Sequence, residues 1–133
     1  MKHQQQLISH GSPSSENLPY STYVRAGDFI YLSGLVGFGD NDVIVPGGVE
    51  PETHQIMSTA RSQLESANAS LSDVIKVNVC LPDVSDFDAF NLVYARYFST
   101  KAPARATICA GLTIEAAVEM EFIAFKPEHT AVS

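Results

Sequence analysis

The sequence predicts an α+β domain, one sheet with two helices packed on a single face. Three observations carry this prediction. Ile56, Ala60, Leu64 and Ala67 recur at helical spacing. Phe87, Phe90, Tyr94, Tyr97 and Phe98 form a second helical stripe. Short apolar runs lie before, between and after these stretches. The order of strands, helix, strand, helix and two strands is the usual pattern of a sheet covered on one side.

The elements follow in order. The stretch from Gly11 to Asn17 is rich in Ser, Pro and Gly and reads as a loop, so residues 1–17 are expected to be a partly flexible N-terminal segment. Tyr20 to Arg25 and Asp28 to Ser33 read as a β-hairpin turning at Ala26-Gly27. Val36 to Val45 is broken by Gly37, Gly39, Asp40 and Asn41 and reads as a ragged or bulged strand pair. Pro46-Gly47-Gly48 is a turn. A helix follows from about Pro51 to Asn68, with proline in its first turn and Glu50 and Glu52 at its positive end. Val74 to Leu81 alternates as a strand, with Ile75, Val77, Val79 and Leu81 on one face. Ser85 and Asp88 resemble a capping box that opens the aromatic helix. That helix ends before Pro103. Ala104 to Leu112 and Ala116 to Phe125 are expected to pair antiparallel around Thr113-Ile114-Glu115.

At 133 residues the chain fits one domain, 1–133, with a core of useful size. Apolar residues make up 45% and charged ones 17%, so little charge is available to solvate a monomer's surface, and an oligomer is expected. Apolar side chains also fall on both faces of the last strand. Helices can cover only one, which leaves the other for a second subunit. The formal net charge is -7, and the eight cations are scattered. Such a surface repels phosphate backbones and anionic lipid, so no nucleic-acid or membrane partner is expected. No apolar signal core or bilayer-length stretch is seen, which makes the cytoplasm the default location. Cys80 and Cys109 sit in separate apolar runs and read as buried, reduced thiols. The dispersed histidines make a zinc site unexpected, and no cofactor motif is present.

The chemistry centres on two stretches. Pro103-Ala104-Arg105-Ala106-Thr107 puts one arginine inside a strand-like run. Val118-Glu119-Met120-Glu121-Phe122 puts two carboxylates on one face of another. An arginine in apolar surroundings must find an anion. That anion is either Glu119 or Glu121, or the carboxylate of a ligand gripped by two parallel hydrogen bonds. From this signal alone a functionless internal pair stands slightly ahead. Elsewhere the bland readings are stronger. Tyr20 and Ser21 after Pro19 suit a turn, Gly34 after Ser33 suits a bulge, Asn91 suits a satisfied polar residue, and the aromatic stripe suits a core.

Together these stretches resemble the RidA family, also called YjgF, small trimeric proteins that include enamine/imine deaminases. The resemblance runs from about Tyr20 to Phe125. It rests on Pro19-Tyr20-Ser21, Gly27-Asp28-Phe29-Ile30-Tyr31-Leu32-Ser33-Gly34, Val45-Pro46-Gly47-Gly48 and Leu71-Ser72-Asp73-Val74-Ile75-Lys76. It rests further on Asp86-Phe87 with Phe90-Asn91 and Tyr94, and above all on Pro103-Ala104-Arg105 followed by Glu119-Met120-Glu121-Phe122-Ile123-Ala124. It implies a chorismate-mutase-like fold, a homotrimer and a site in each intersubunit cleft. It implies that Arg105 anchors the carboxylate of an imine or 2-oxo acid, that Glu119 handles water and that the Thr107 carbonyl helps hold it. Tyr20, Ser33, Gly34 and Asn91 match residues lining the cleft. The implied reaction turns 2-aminoacrylate or 2-iminopropanoate into a 2-oxo acid and ammonia, with no metal or organic cofactor. Three departures bear on substrate identity. Thr107 stands where several members carry Cys, Leu35 stands where Gln is frequent, and Ser99-Thr100-Lys101-Ala102 is short. A deaminase for a larger enamine such as 2-aminomuconate, or a 2-oxo acid binder without turnover, are the competing functions.

Overall fold

Asp28 and Gly27, the latter at φ 60°, close a tight turn that only glycine enters without strain, and this turn sets the first hairpin. The computed structural model describes residues 7–14 and 17–127. Its hairpin strands are β2 (Tyr23–Ala26) and β3 (Phe29–Leu32), preceded by β1 (Ile8–His10). β1 was not expected; it pairs antiparallel with β2 in the stretch taken as a flexible N-terminus. The rest of that expectation, residues 1–6, 15 and 16, lies outside the described residues. The ragged segment after β3 holds one isolated bridge, Phe38 to Ile44, around a single 3-10 turn at Asp40–Asp42.

Helix α1 is Val49–Ser66, with Glu50 and Glu52 in its first turn as read from the sequence. It stops two residues before Asn68, which takes φ 61° and so cannot continue a right-handed helix. Strand β4 (Val74–Cys80), helix α2 (Phe87–Tyr97) and strand β5 (Ala104–Ile108) follow, then β6 (Glu119–Phe125). A 3-10 turn at Val84–Asp86 leads into α2, and Asp83 caps it by accepting from the Ser85 amide at 2.9 Å. The expected Ser85–Asp88 box is therefore replaced by an Asp83 cap. The box geometry occurs instead at Ser70 and Asp73, ahead of β4.

The six strands form one sheet in the order β1-β2-β3-β6-β4-β5. The expected β5–β6 hairpin is absent. β6 pairs antiparallel with β3 and β4, while β5 pairs parallel with the other side of β4. Helix α2 thus serves as the crossover between two parallel strands, which a hairpin cannot join. A register shift between Val74 and Lys76 breaks the expected alternation of β4, and Ile75 is left exposed.

Both helices lie on one face. Their buried residues, Ile56, Met57, Ala60, Leu64, Phe90 and Tyr94 among them, join Ile30, Leu32, Val77, Val79, Met120 and Phe122 of the sheet in a single core. The opposite face carries Phe29, Tyr31, Ile108 and Phe125, all exposed. Arg25 is the arginine that is truly buried in the fold. Its guanidinium donates to the carbonyls of Gly27 at 3.0 Å, Lys126 at 2.9 Å and Ala67 at 2.9 Å. It ties the hairpin turn, the end of β6 and the negative end of α1 together, and among the described residues no carboxylate joins it. Among the described residues no helix is long and apolar enough to cross a membrane.

Candidate active site on two faces of one sheet

The register decides which way each side chain points. Val77 pairs with Arg105 and Val79 with Thr107 across the parallel ladder. Val77 and Val79 are buried under the helices, so Arg105 and Thr107 point to the helix face. Asn78 pairs with Glu121 and Cys80 with Glu119, so both carboxylates point to the open face. β4 also lies between β5 and β6. Within one chain, the arginine and the two glutamates therefore cannot meet. The expectation of an internal Arg105–Glu119 or Arg105–Glu121 pair is overturned by a parity of strand pairing.

Arg105 instead lies against helix α2. Its guanidinium carbon sits 4.7 Å from the ring centre of Tyr94, 5.5 Å from that of Phe90 and 5.9 Å from that of Phe87. Among the described residues it is engaged by these rings and by no carboxylate. Asn91 is half-buried on the same helix, four residues after Phe87 and three before Tyr94, so it shares that face. Thr107 contributes its backbone. The Ile108 carbonyl accepts from the Leu81 amide at 2.9 Å and so points toward β4. Successive carbonyls of a strand alternate, and that of Thr107 therefore points to the free edge of the sheet. The Thr107 hydroxyl is buried and has no hydrogen-bond partner among the described residues.

The remaining residues singled out in the sequence gather elsewhere. Tyr20, Ser33, Gly34 and Glu119 line one cleft of about 680 Å³, together with Leu35, Thr113 and Ile114. Glu119 and Glu121 also line an adjoining hollow on the open face, with Asn78, Cys80, Ala106 and Ile108. The Ser33 hydroxyl is already committed to the Ser21 carbonyl at 2.7 Å. Gly34 has a steric purpose, since a Cβ there would lie 3.0 Å from the Glu119 carboxylate oxygen Oε2. Glycine lets that carboxylate rest against the backbone. Burial pushes the Glu119 carboxyl above its ordinary pKa, and the charge of Glu121 pushes it the same way. Glu121 is exposed and accepts from the Asn78 amide nitrogen at 2.9 Å. Both acids line the cleft, but Glu119 is the one half-buried against the Gly34 backbone, with its proton affinity raised by that burial.

Sequence reasoning missed three things here. Phe90 and Tyr94 are core, as their stripe predicts, but Phe87 is 40% exposed and all three rings also face Arg105. Their spacing just ahead of the arginine strand is the signal that marks them. Thr113 and Ile114, read as a hairpin turn, line the cleft. Cys109, expected to be buried, is exposed and free, and Cys80 is only partly covered.

This architecture and these residues define the class. The model of the endoribonuclease L-PSP family matches residues 12–126, and the chain belongs to that family, the one to which the RidA resemblance points. Among its relatives, a RutC family protein of Pyrococcus horikoshii is 38% identical over 110 residues, covering 81% of this chain and 87% of the relative. A protein of Capra hircus named 2-iminobutanoate/2-iminopropanoate deaminase is 36% identical over 129 residues, covering 96% and 94%. The crystal structure of RidA from an Antarctic Psychrobacter superposes with a TM-score of 0.78 at 33% identity, covering 90% of this chain and 98% of that one. Yeast Mmf1 superposes with a TM-score of 0.81 at 30% identity over the same shares.

Proposed function

We propose that the protein hydrolyses the imine tautomers of small 2-enamino acids, such as 2-aminoacrylate, to 2-oxo acids and ammonia. The clefts are shared between the subunits of a homotrimer. The observation that carries this reading is the separation of Arg105 from Glu119. A guanidinium with no carboxylate beside it among the described residues lies on one face, and an acid with raised pKa on the other. Two copies supply to one cleft what a single copy holds apart. The exposed apolar face with Phe29, Tyr31, Ile108 and Phe125 is a surface on which such copies can pack.

The chemistry follows from the groups. The enamine tautomerises to a 2-imino acid. Arg105 holds its carboxylate through the planar fork and so fixes the imine carbon. Glu119 takes a proton from water as the water oxygen bonds to that carbon, and the C=N electron pair moves to nitrogen. That proton passes to nitrogen to give a neutral carbinolamine, and Glu119 then carries the hydroxyl proton to nitrogen as the C–N bond breaks, so that the carbonyl forms and ammonia leaves. The Thr107 carbonyl accepts a hydrogen bond from the attacking water. Tyr20, Ser33, Gly34 and Asn91 shape the cleft around the side chain. The family's name refers to ribonuclease action, but a net charge of -7 gives a phosphate chain little to bind.

The size of the cleft and its apolar wall at Leu35 and Ile114 favour a second reading within the same chemistry, a larger enamine substrate. One experiment addresses both. Freshly generated 2-aminoacrylate and a longer-chain enamine are supplied to the protein, and 2-oxo acid release is followed with Arg105→Ala as control. Turnover of 2-aminoacrylate above the Arg105→Ala level is expected. Turnover of the longer substrate alone favours the second reading. Binding of 2-oxobutanoate without turnover of either makes the protein a binder. Sedimentation of the same sample is expected to give three copies, and a stable monomer contradicts the shared cleft.

A further inference from the structure

A guanidinium at the free edge of a sheet has many directions open to it, because arginine carries long, rotatable side-chain bonds. In this protein three rings of α2 lie beneath it. Phe87, Phe90 and Tyr94 occupy positions i, i+3 and i+7, which places them on one stripe of the helix. The nearest ring centre, that of Tyr94, is 4.7 Å from the guanidinium carbon. Tyr94 is 7% exposed, and its ring packs at 5.5 Å from Phe90 and 4.9 Å from Phe98, so the platform is itself held in place.

The Tyr94 hydroxyl is buried and has no hydrogen-bond partner among the described residues. Burial pushes its pKa up to about 12, with Arg105 pulling the other way, so the side chain is neutral at any ordinary pH. Contact with Arg105 therefore runs through the ring face and not through a phenolate. Such contact costs Arg105 none of the N–H groups that a carboxylate would occupy. The fork remains available while its plane is fixed.

We propose that Tyr94, supported by Phe90 and Phe87, is a positioning residue that holds the Arg105 guanidinium on an aromatic floor and presents its unspent N–H fork to the carboxylate of the substrate. This rests on the reading of Arg105 as a carboxylate anchor. Its role is uniform binding, felt equally by substrate and transition state, so its loss raises KM more than it lowers kcat.

The test measures 2-oxobutanoate binding by titration calorimetry and imine hydrolysis on the full chain. Tyr94→Leu removes the ring face, and affinity is expected to fall about five- to thirtyfold, with a matching rise in KM. Tyr94→Phe keeps the ring and loses only a hydroxyl with no partner among the described residues, so it should bind like wild type. On the Arg105→Ala background, Tyr94→Leu should cause no further loss of kcat/KM, since it acts through the arginine. Should Tyr94→Leu fail to fold, Phe87→Leu replaces it. Phe87 is 40% exposed and its loss strains the core little, and a smaller fall in affinity is expected. Unchanged affinity in the folded ring-deleted variant, or a Tyr94→Leu loss that persists in full without Arg105, overturns the positioning role and leaves the anchor standing. Failure of the wild type to bind 2-oxobutanoate at all overturns the anchor itself, and this inference with it.

Discussion

Arg105→Lys should lower imine hydrolysis roughly 10²-fold, the usual consequence of displacing a bound reactant by about 1 Å, while leaving the assembly unchanged. Lysine keeps the charge but has neither the plane nor the paired donors that fix a carboxylate in two directions. It also lacks the broad delocalised cation that now sits over the rings of Tyr94 and Phe90, 4.7 and 5.5 Å from their centres. The substrate carboxylate would still be attracted, but the imine carbon would no longer be held over the water. The fold should not suffer. Arg105 makes no ion pair with the glutamates of β6, and Arg25 performs the structural task of capping α1. Hydrolysis rate and sedimentation profile, measured on one preparation, check both halves. Full activity in Arg105→Lys, or dissociation into monomers, contradicts the anchor.

Glu119→Gln should remove most turnover, about 10²–10⁴-fold, the typical effect of losing a positioned proton-transfer group. Binding of 2-oxobutanoate should survive, because the carboxylate clamp lies on the other face of the sheet. Glu121→Gln should be mild, since that acid is exposed and bonded to Asn78. The direction of the pKa shift adds a pH prediction. Glu119 serves as base only when ionised, and its carboxyl is raised above the ordinary value. Turnover should therefore fall as pH drops through that raised pKa, at a less acidic pH than an unperturbed glutamate would give. The same shift makes unfolding an unsuitable explanation for lost activity. A carboxyl whose pKa is raised on folding holds its proton more tightly in the native state, so it weakens stability as pH rises between the unfolded and folded values. Gln at 119 removes that effect and should melt no lower than wild type at neutral pH. Full activity in Glu119→Gln with loss in Glu121→Gln would reverse the assignment.

Local signals in the sequence located most elements and the strands and helices that carry the candidate residues, but not the partners of those strands. The period of Ile56, Ala60 and Leu64 fixes α1 to within two residues at each end, because amphipathic spacing is written in the chain itself. Alternation in Glu119-Met120-Glu121-Phe122 likewise assigns faces correctly. What alternation cannot supply is strand order. β5 and β6 are neighbours in sequence, and a hairpin was the simple reading, yet β4 enters between them. The clue was present as strand, helix, strand from Val74 to Ile108, the pattern of a parallel crossover. Arg25 was passed over because its three acceptors are backbone carbonyls from Gly27, Ala67 and Lys126, which no spacing rule brings together. The internal ion pair failed for the same reason as the hairpin, since facing depends on register.

The parity that separates Arg105 from Glu119 has a consequence for mixtures. On the shared-cleft reading, each chain lends its arginine to one neighbour and its acid to the other. Two defective chains, one lacking Arg105 and one lacking Glu119, then carry complementary defects. Dissociated and reassembled together in equal amounts, they form some clefts in which both intact halves meet. Random closure of a cyclic ring gives such a cleft about one time in four, so two dead proteins should recover about a quarter of wild-type activity when allowed to exchange subunits. The unit that carries the activity is then the boundary between chains, and a lesion in one copy is felt in clefts its own remaining residues cannot complete.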